Sequence, residues 1–176
     1  MGIENLATRL MLLVEDVTNS DDLMLAIAGM ARELGFHYFA ISHHIDTISV
    51  GGDAIRLHNY PARWADYYEQ HALGGVDPVH RASQKTSLAF CWSRLSDMIA
   101  LTPFDNRMLA LGGEHGIGDG ITVPANVPGE AGGSCTFAVA TGGRLPRGIL
   151  PFAQLVGDFA FEAARRLWTV RGSRPD

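Results

Sequence analysis

NYPARWADYYEQHALGGVDPV, residues 59–79, places one tryptophan and three tyrosines between Tyr60 and Tyr68, in a chain with only three Trp and four Tyr in all. A core alone rarely draws so many amphipathic rings into one short stretch. Pro61 suits the first turn of a helix, where its missing N–H costs nothing, and Asn59-Tyr60 before it stay extended. The helix is expected to run to about His71, with Trp64 and Tyr68 four residues apart on one face. Gly74-Gly75 are expected to end it, and Asp77 to cap a short helix beginning at Pro78. Tyr O–H and Trp N–H donate hydrogen bonds from apolar rings, whereas an ionised Asp only accepts. Together they suit a mostly apolar small molecule bearing carbonyl acceptors and an amide N–H. The same residues also fit ordinary helix-on-sheet packing with Asp77 as a plain cap, and this stretch by itself leaves both open.

Outward from this segment, residues 4–17 and 21–34 carry apolar residues at helical spacing. The second run, Leu23, Met24, Ile27, Met30, Ala31 and Leu34, is opened by Ser20 and closed by Gly35. FHYFAISHHI (36–45) reads as a strand, and AIRLHNY (54–60), after a Gly51-Gly52 turn, as its partner. LAFCW (88–92) reads as extended and residues 103–115 as a helix. GITVPANV and SCTFAVAT flank the turn-rich PGEAGG as a hairpin does. A last helix is expected from about Leu150 to Trp168, with Phe152, Leu155, Val156, Phe159, Ala163 and Leu167 on one stripe. RGSRPD (171–176) reads as the start of a linker or tail. This order implies an α+β domain, an antiparallel sheet with helices packed on it.

The 176 residues, 47% hydrophobic and 19% charged, fit one globular domain. No apolar run is long enough to span a bilayer and MGIENLATRL lacks the order of a signal peptide, so the expectation is a cytoplasmic protein with no membrane association. Cys91 and Cys135 have no C-x-x-C partner, which points to free thiols and no metal site. With 14 basic and 19 acidic residues the net charge is −5, the wrong sign for a domain gripping nucleic acid. GGEHGIGDG (112–120) matches no phosphate-loop spacing and precedes a strand, so it reads as a helix stop and turn. His43 and His44, adjacent on a strand, point to opposite faces and make a poor metal pair. Glu114-His115 and Ser134-Cys135 lack a nucleophile-elbow context, and the expectation is that the protein is not an enzyme.

Tyr60-Pro61, Trp64, Tyr68, Asp77-Pro78-Val79, then Phe90 and Trp92, then Gly116-Ile117 and Gly120-Ile121-Thr122-Val123-Pro124, resemble in type and spacing the autoinducer-binding domain of LuxR-type quorum-sensing regulators. The motifs extend over about 65 residues, and the elements outside them are compatible in number and order. The resemblance implies an α-β-α sandwich over residues 1–170, holding an N-acyl-homoserine lactone or a relative between the sheet and the helices on one side. No other cofactor is implied. Carried over, Trp64 donates its indole N–H to the lactone carbonyl and Asp77 accepts the ligand amide N–H. Tyr60 and Tyr68 line the head-group end, Tyr68 donating to the acyl carbonyl, and Val79 belongs to the same wall. Trp92 packs on the lactone ring, Gly120 lies on the inner strand, and Ala40, Ser42, Thr136 and Ala138 form pocket wall. Ala138 stands where the family often has a hydroxyl residue, and Met108 and Leu109 where it often has aromatics. The resemblance further implies a homodimer, paired in part through the apolar positions Phe159 to Trp168, that meets DNA only through a C-terminal helix-turn-helix domain absent from this chain; Phe161 and Trp168 fit nearly as well folding back on the first helix of the same chain. The alternatives are a truncated or ligand-independent relative acting by heterodimerisation, or a small enzyme on this fold.

Overall fold

The N-terminal apolar repeat winds into α1 (Ile3–Glu15), which buries Leu6, Leu10 and Leu13 on one stripe. Helix α2 (Ser20–Glu33) buries Leu23, Ile27, Met30 and Ala31 in the same way. Its cap is Asn19, one residue before the expected Ser20, because the Asn19 side chain accepts from the Asp22 N–H at 2.9 Å. It stops where expected: Gly35 takes φ +96°, and the N–H groups of Phe36 and Gly35 close onto the carbonyls of Ala31 and Arg32. The computed structural model describes residues 2–45 and 54–172. Residues 46–53, which include the Gly51-Gly52 turn, and the end of the tail from 173 lie outside the described residues.

Five strands, β1 (Tyr38–His43), β2 (Arg56–His58), β3 (Phe90–Cys91), β4 (Ile117–Ala125) and β5 (Gly133–Ala140), form one antiparallel sheet in the order β2-β1-β5-β4-β3. β4 and β5 make the expected hairpin. The register sets Ala40 opposite Thr136, Ser42 opposite Ser134, Thr122 opposite Thr136 and Gly120 opposite Ala138. Since side chains alternate across a strand, this pairing sorts the sheet into two unlike faces. Phe39, Ile41, Ile121, Val123, Cys135, Phe137 and Val139 join the core with α1, α2 and the long α7 (Leu150–Gly172). The opposite face carries Ala40, Ser42, Ser134, Thr136, Ala138, Gly120 and Thr122. Helices α3 (Ala62–Gln70), α4 (Pro78–Ser83), α5 (Leu95–Met98) and α6 (Pro103–Glu114) cover that second face, which completes the α-β-α sandwich.

Two local expectations are corrected. α3 ends at Gln70, and Gly74-Gly75 lie in a 3₁₀ turn with neither glycine at positive φ. The reversal is made by Ala72 at φ 49°, which lets Leu73 turn back into the cluster around Trp64. On α7, Phe152 and Leu155 are 42% and 41% exposed, while Ala153, Val156, Ala160, Phe161, Ala163 and Ala164 are buried. Small side chains let the helix lie close against the sheet, so the buried stripe is rotated from the one that residue size alone suggests. The apolar residues expected to serve a partner are therefore largely absorbed within the chain, with Arg166 reaching the Val14 carbonyl of α1. α7 also runs on through Gly172, past Trp168. Among the described residues, no helix is long and apolar enough to cross a membrane.

Candidate ligand-binding site

Small and hydroxylated residues on the second face leave a space that the covering helices do not fill, a cavity of about 410 Å³. Such a volume lies within the range of small-molecule sites. Ala40 and Ser42 of β1 and Thr136 of β5 form its floor, and Tyr60, Trp64, Tyr68, Asp77, Val79 and Trp92 enclose it. The fold thus brings together nine of the eleven residues expected from sequence. The other two lie beneath the lining: Ala138 is fully buried in the cluster that also holds Trp64, and Gly120 sits under the Trp92 ring. At the solvent-facing rim, Arg56 of β2 pairs with Glu69 of α3 at 2.9 Å.

Asp77 caps α4, Oδ1 accepting from the Val79 N–H at 2.8 Å, while Oδ2 accepts from the Tyr68 hydroxyl at 2.7 Å. Those two bonds make a half-buried carboxylate tolerable and hold it at the cavity wall. The Tyr68 proton, expected to reach the ligand's acyl carbonyl, is directed at Asp77. Burial, with Asp77 adding to it, raises the Tyr68 and Tyr60 hydroxyls far above their ordinary value, so both remain protonated donors. Trp64 is 7% exposed and packs through its ring against Tyr67, Tyr68 and His115. α4 is itself anchored from below. Arg81 makes two bonds to Asp105 of α6, at 2.7 and 3.1 Å, and Asp105 closes a capping box with Thr102. The Arg81 guanidinium holds the Asp105 carboxyl down at about 2.

The floor carries a short hydrogen-bond chain. The Trp92 indole N–H donates to Thr122 Oγ1 at 2.9 Å, and Thr122 meets the Thr136 hydroxyl at 2.8 Å. Gly120 is what allows Trp92 this position: a Cβ there would lie 2.8 Å from the indole ring and 3.0 Å from the Phe137 carbonyl oxygen. A register shift between Ile117 and Gly120 turns Gly118 and Asp119 to the cavity.

Sequence reasoning missed a histidine group beside Asp77. His80 lines the cavity and stacks on His44 with ring centroids 3.8 Å apart, and His44 Nε2 lies 2.8 Å from Ser134 Oγ. A signal for each was present: His80 is one helical turn from Asp77, and Ser134 is two residues from Thr136 on an alternating strand. His43 turns to the other face, edge-on to Phe161, as adjacent strand positions require. The Ser134–His44 contact does not resemble a working nucleophile and base. Burial and the neighbouring His80 lower His44 to about 3, and its Nδ1 is buried without a hydrogen-bond partner among the described residues. His115 is spatially separate from Ser134, its Nδ1 at 2.8 Å from the Leu111 carbonyl, and Cys135 faces the opposite core. No cluster of His, Cys, Asp and Glu able to hold a metal occurs among the described residues.

The family model for the autoinducer binding domain matches residues 19–164. Among solved structures the chain is similar to SdiA of Escherichia coli, with a TM-score of 0.74 and 18% identity over 98% of this chain and 71% of that one. It is similar to SdiA in complex with octanoyl-rac-glycerol, with a TM-score of 0.72 and 18% identity over 95% of this chain and 68% of that one. CepR2 from Burkholderia cenocepacia, described as an N-acylhomoserine lactone dependent LuxR family transcription factor, gives a TM-score of 0.70 and 16% identity over 97% and 99%. At these identities the likeness is one of fold. No curated protein sequence matches the chain.

Proposed function

The chain belongs to the autoinducer-binding domain family, and we propose that it is the signal-sensing domain of a LuxR-type regulator, binding an N-acyl-homoserine lactone or a close relative in the cavity under α3 and α4. The observation that carries this reading is the Asp77 carboxylate, held at the wall of a mostly apolar cavity with Trp64, Tyr60, Tyr68 and Trp92 around it. Asp77 accepts the ligand amide N–H through Oδ2, Trp64 donates to the lactone carbonyl, and Trp92 packs on the lactone ring. With the Tyr68 proton on Asp77, the Thr136 hydroxyl on the floor is the candidate donor for the acyl carbonyl. The protein acts by binding without turnover, in the cytoplasm, as a homodimer that contacts DNA through a separate segment.

Mass spectrometry of protein expressed with and without acyl-homoserine lactones tests this reading. One unaltered ligand per chain should be retained, and ligand at one hundred times its Kd should stabilise the fold by about 2.7 kcal/mol. A folded protein that retains no lactone and melts identically with and without it would refute the proposal. Sedimentation equilibrium with and without ligand tests the pairing, and a monomer under both conditions would remove it.

A further inference from the structure

With the His80 ring neutral, two acceptors face one another at the cavity wall. Asp77 Oδ2 and His80 Nε2 are 3.8 Å apart, with side chains only 12% and 18% exposed. His80 Nδ1 lies 3.0 Å from the Gly74 carbonyl, which can only accept, so in the neutral ring Nδ1 carries the proton. Nε2 is left with a lone pair, and 3.8 Å is too long for a direct hydrogen bond to Asp77. The Nδ1 bond to the Gly74 carbonyl sets which edge of the ring faces Asp77, and the ring lies stacked on His44, itself bonded to Ser134. This corner of the cavity therefore asks for two donors side by side, one for each acceptor.

We propose that His80 reads the acyl chain and that the signal is a 3-hydroxyacyl homoserine lactone. The inference rests on the reading that Asp77 takes the ligand amide N–H. In a 3-hydroxyacyl amide, the amide nitrogen and the hydroxyl oxygen are separated by three carbons, and across the allowed conformations they lie about 3 to 5 Å apart. That spacing matches the separation of the two acceptors. With the amide N–H on Asp77 Oδ2, the hydroxyl donates to His80 Nε2. A 3-oxo ligand offers His80 a carbonyl, acceptor against acceptor, and an unsubstituted chain leaves the lone pair closed off without a donor. A site built to hydrogen-bond a hydroxyl discriminates against analogues that lack it.

Isothermal titration of the protein with matched 3-hydroxy, 3-oxo and unsubstituted N-acyl-homoserine lactones, in eight- and twelve-carbon series, tests the inference. The 3-hydroxy ligand should bind roughly tenfold tighter than either analogue. His80→Asn keeps a donor for the Gly74 carbonyl and removes the Nε2 acceptor. It should abolish the discrimination, bringing the 3-hydroxy and unsubstituted ligands to within about twofold of one another. Equal binding of the three ligands, tighter binding of the 3-oxo form, or a preference that survives His80→Asn overturns the role of His80 and leaves the lactone reading standing. Failure of all three lactones to bind a folded protein overturns both. If His80→Asn does not fold, the comparison of the three ligands on the unaltered protein decides alone.

Discussion

Replacing Asp77 by Asn changes the chemistry of one atom and leaves the shape of the side chain. The amide oxygen can keep the 2.8 Å bond from the Val79 N–H, and Asn caps a helix about as well as Asp. The new Nδ2 takes the place of Oδ2, 2.7 Å from the Tyr68 hydroxyl, which can reverse and accept. The free protein therefore keeps both bonds, and the expected loss of stability is below about 1 kcal/mol. The ligand fares differently. Its amide N–H, which would meet a charged acceptor, meets another N–H, so a charge-assisted bond is lost and two donors face each other in a half-closed cavity. The cost is about 2 to 3 kcal/mol, or roughly 30- to 150-fold in Kd. Calorimetric titration with an acyl-homoserine lactone, beside thermal melts of both free proteins, reads the two quantities separately. Wild-type affinity in folded Asp77→Asn would refute the assignment of Asp77 to the ligand amide. Collapse of the fold would show that its role is chiefly structural.

Trp64→Phe should keep most of the ring packing against Tyr67 and Tyr68 and remove the indole donor, so affinity falls with little change in melting temperature; the opposite pattern would mark Trp64 as core alone. Gly120→Ala should displace the Trp92 ring and break its bond to Thr122, because the Phe137 backbone on the other side cannot yield. A loss of about 1 to 3 kcal/mol and an altered near-UV circular dichroism spectrum are expected, and an unchanged melt would contradict this packing. Asp105 is held below its ordinary value of 3.8, at about 2, chiefly by Arg81. A carboxyl depressed in the folded state stabilises it above the ordinary value, and that contribution is lost as pH falls from about 4 through about 2. Denaturant titrations across this window should show the wild type losing stability more steeply than Asp105→Asn, and parallel losses would sink the argument.

What was legible in the sequence is what short-range chemistry decides. Pro61 opening α3, Asp77 capping α4 ahead of Pro78, Gly35 closing α2 and the alternation of β4 and β5 each depend on groups a few residues apart. Spacing of Tyr60, Trp64, Tyr68 and Asp77 carried the family resemblance, and with it the sandwich and most of the cavity lining. Even local reading failed where tertiary packing outweighed propensity. Ala72 took the left-handed turn in place of Gly74-Gly75 because Leu73 had a cluster to join, and α7 buried a stripe of mostly small residues, with Phe161 seated over Gly133, in preference to Phe152 and Leu155, because small side chains let the helix lie close to the sheet. The tertiary structure alone brought His44 of the β1 end, His80 of α4 and Ser134 of β5 into one group, and set Trp92 over Gly120 with its N–H on Thr122. These contacts join residues 28 to 90 positions apart. Their chemistry depends on distances and on which ring nitrogen already has a partner, and both are settled only when the sheet register and the helices above it are in place.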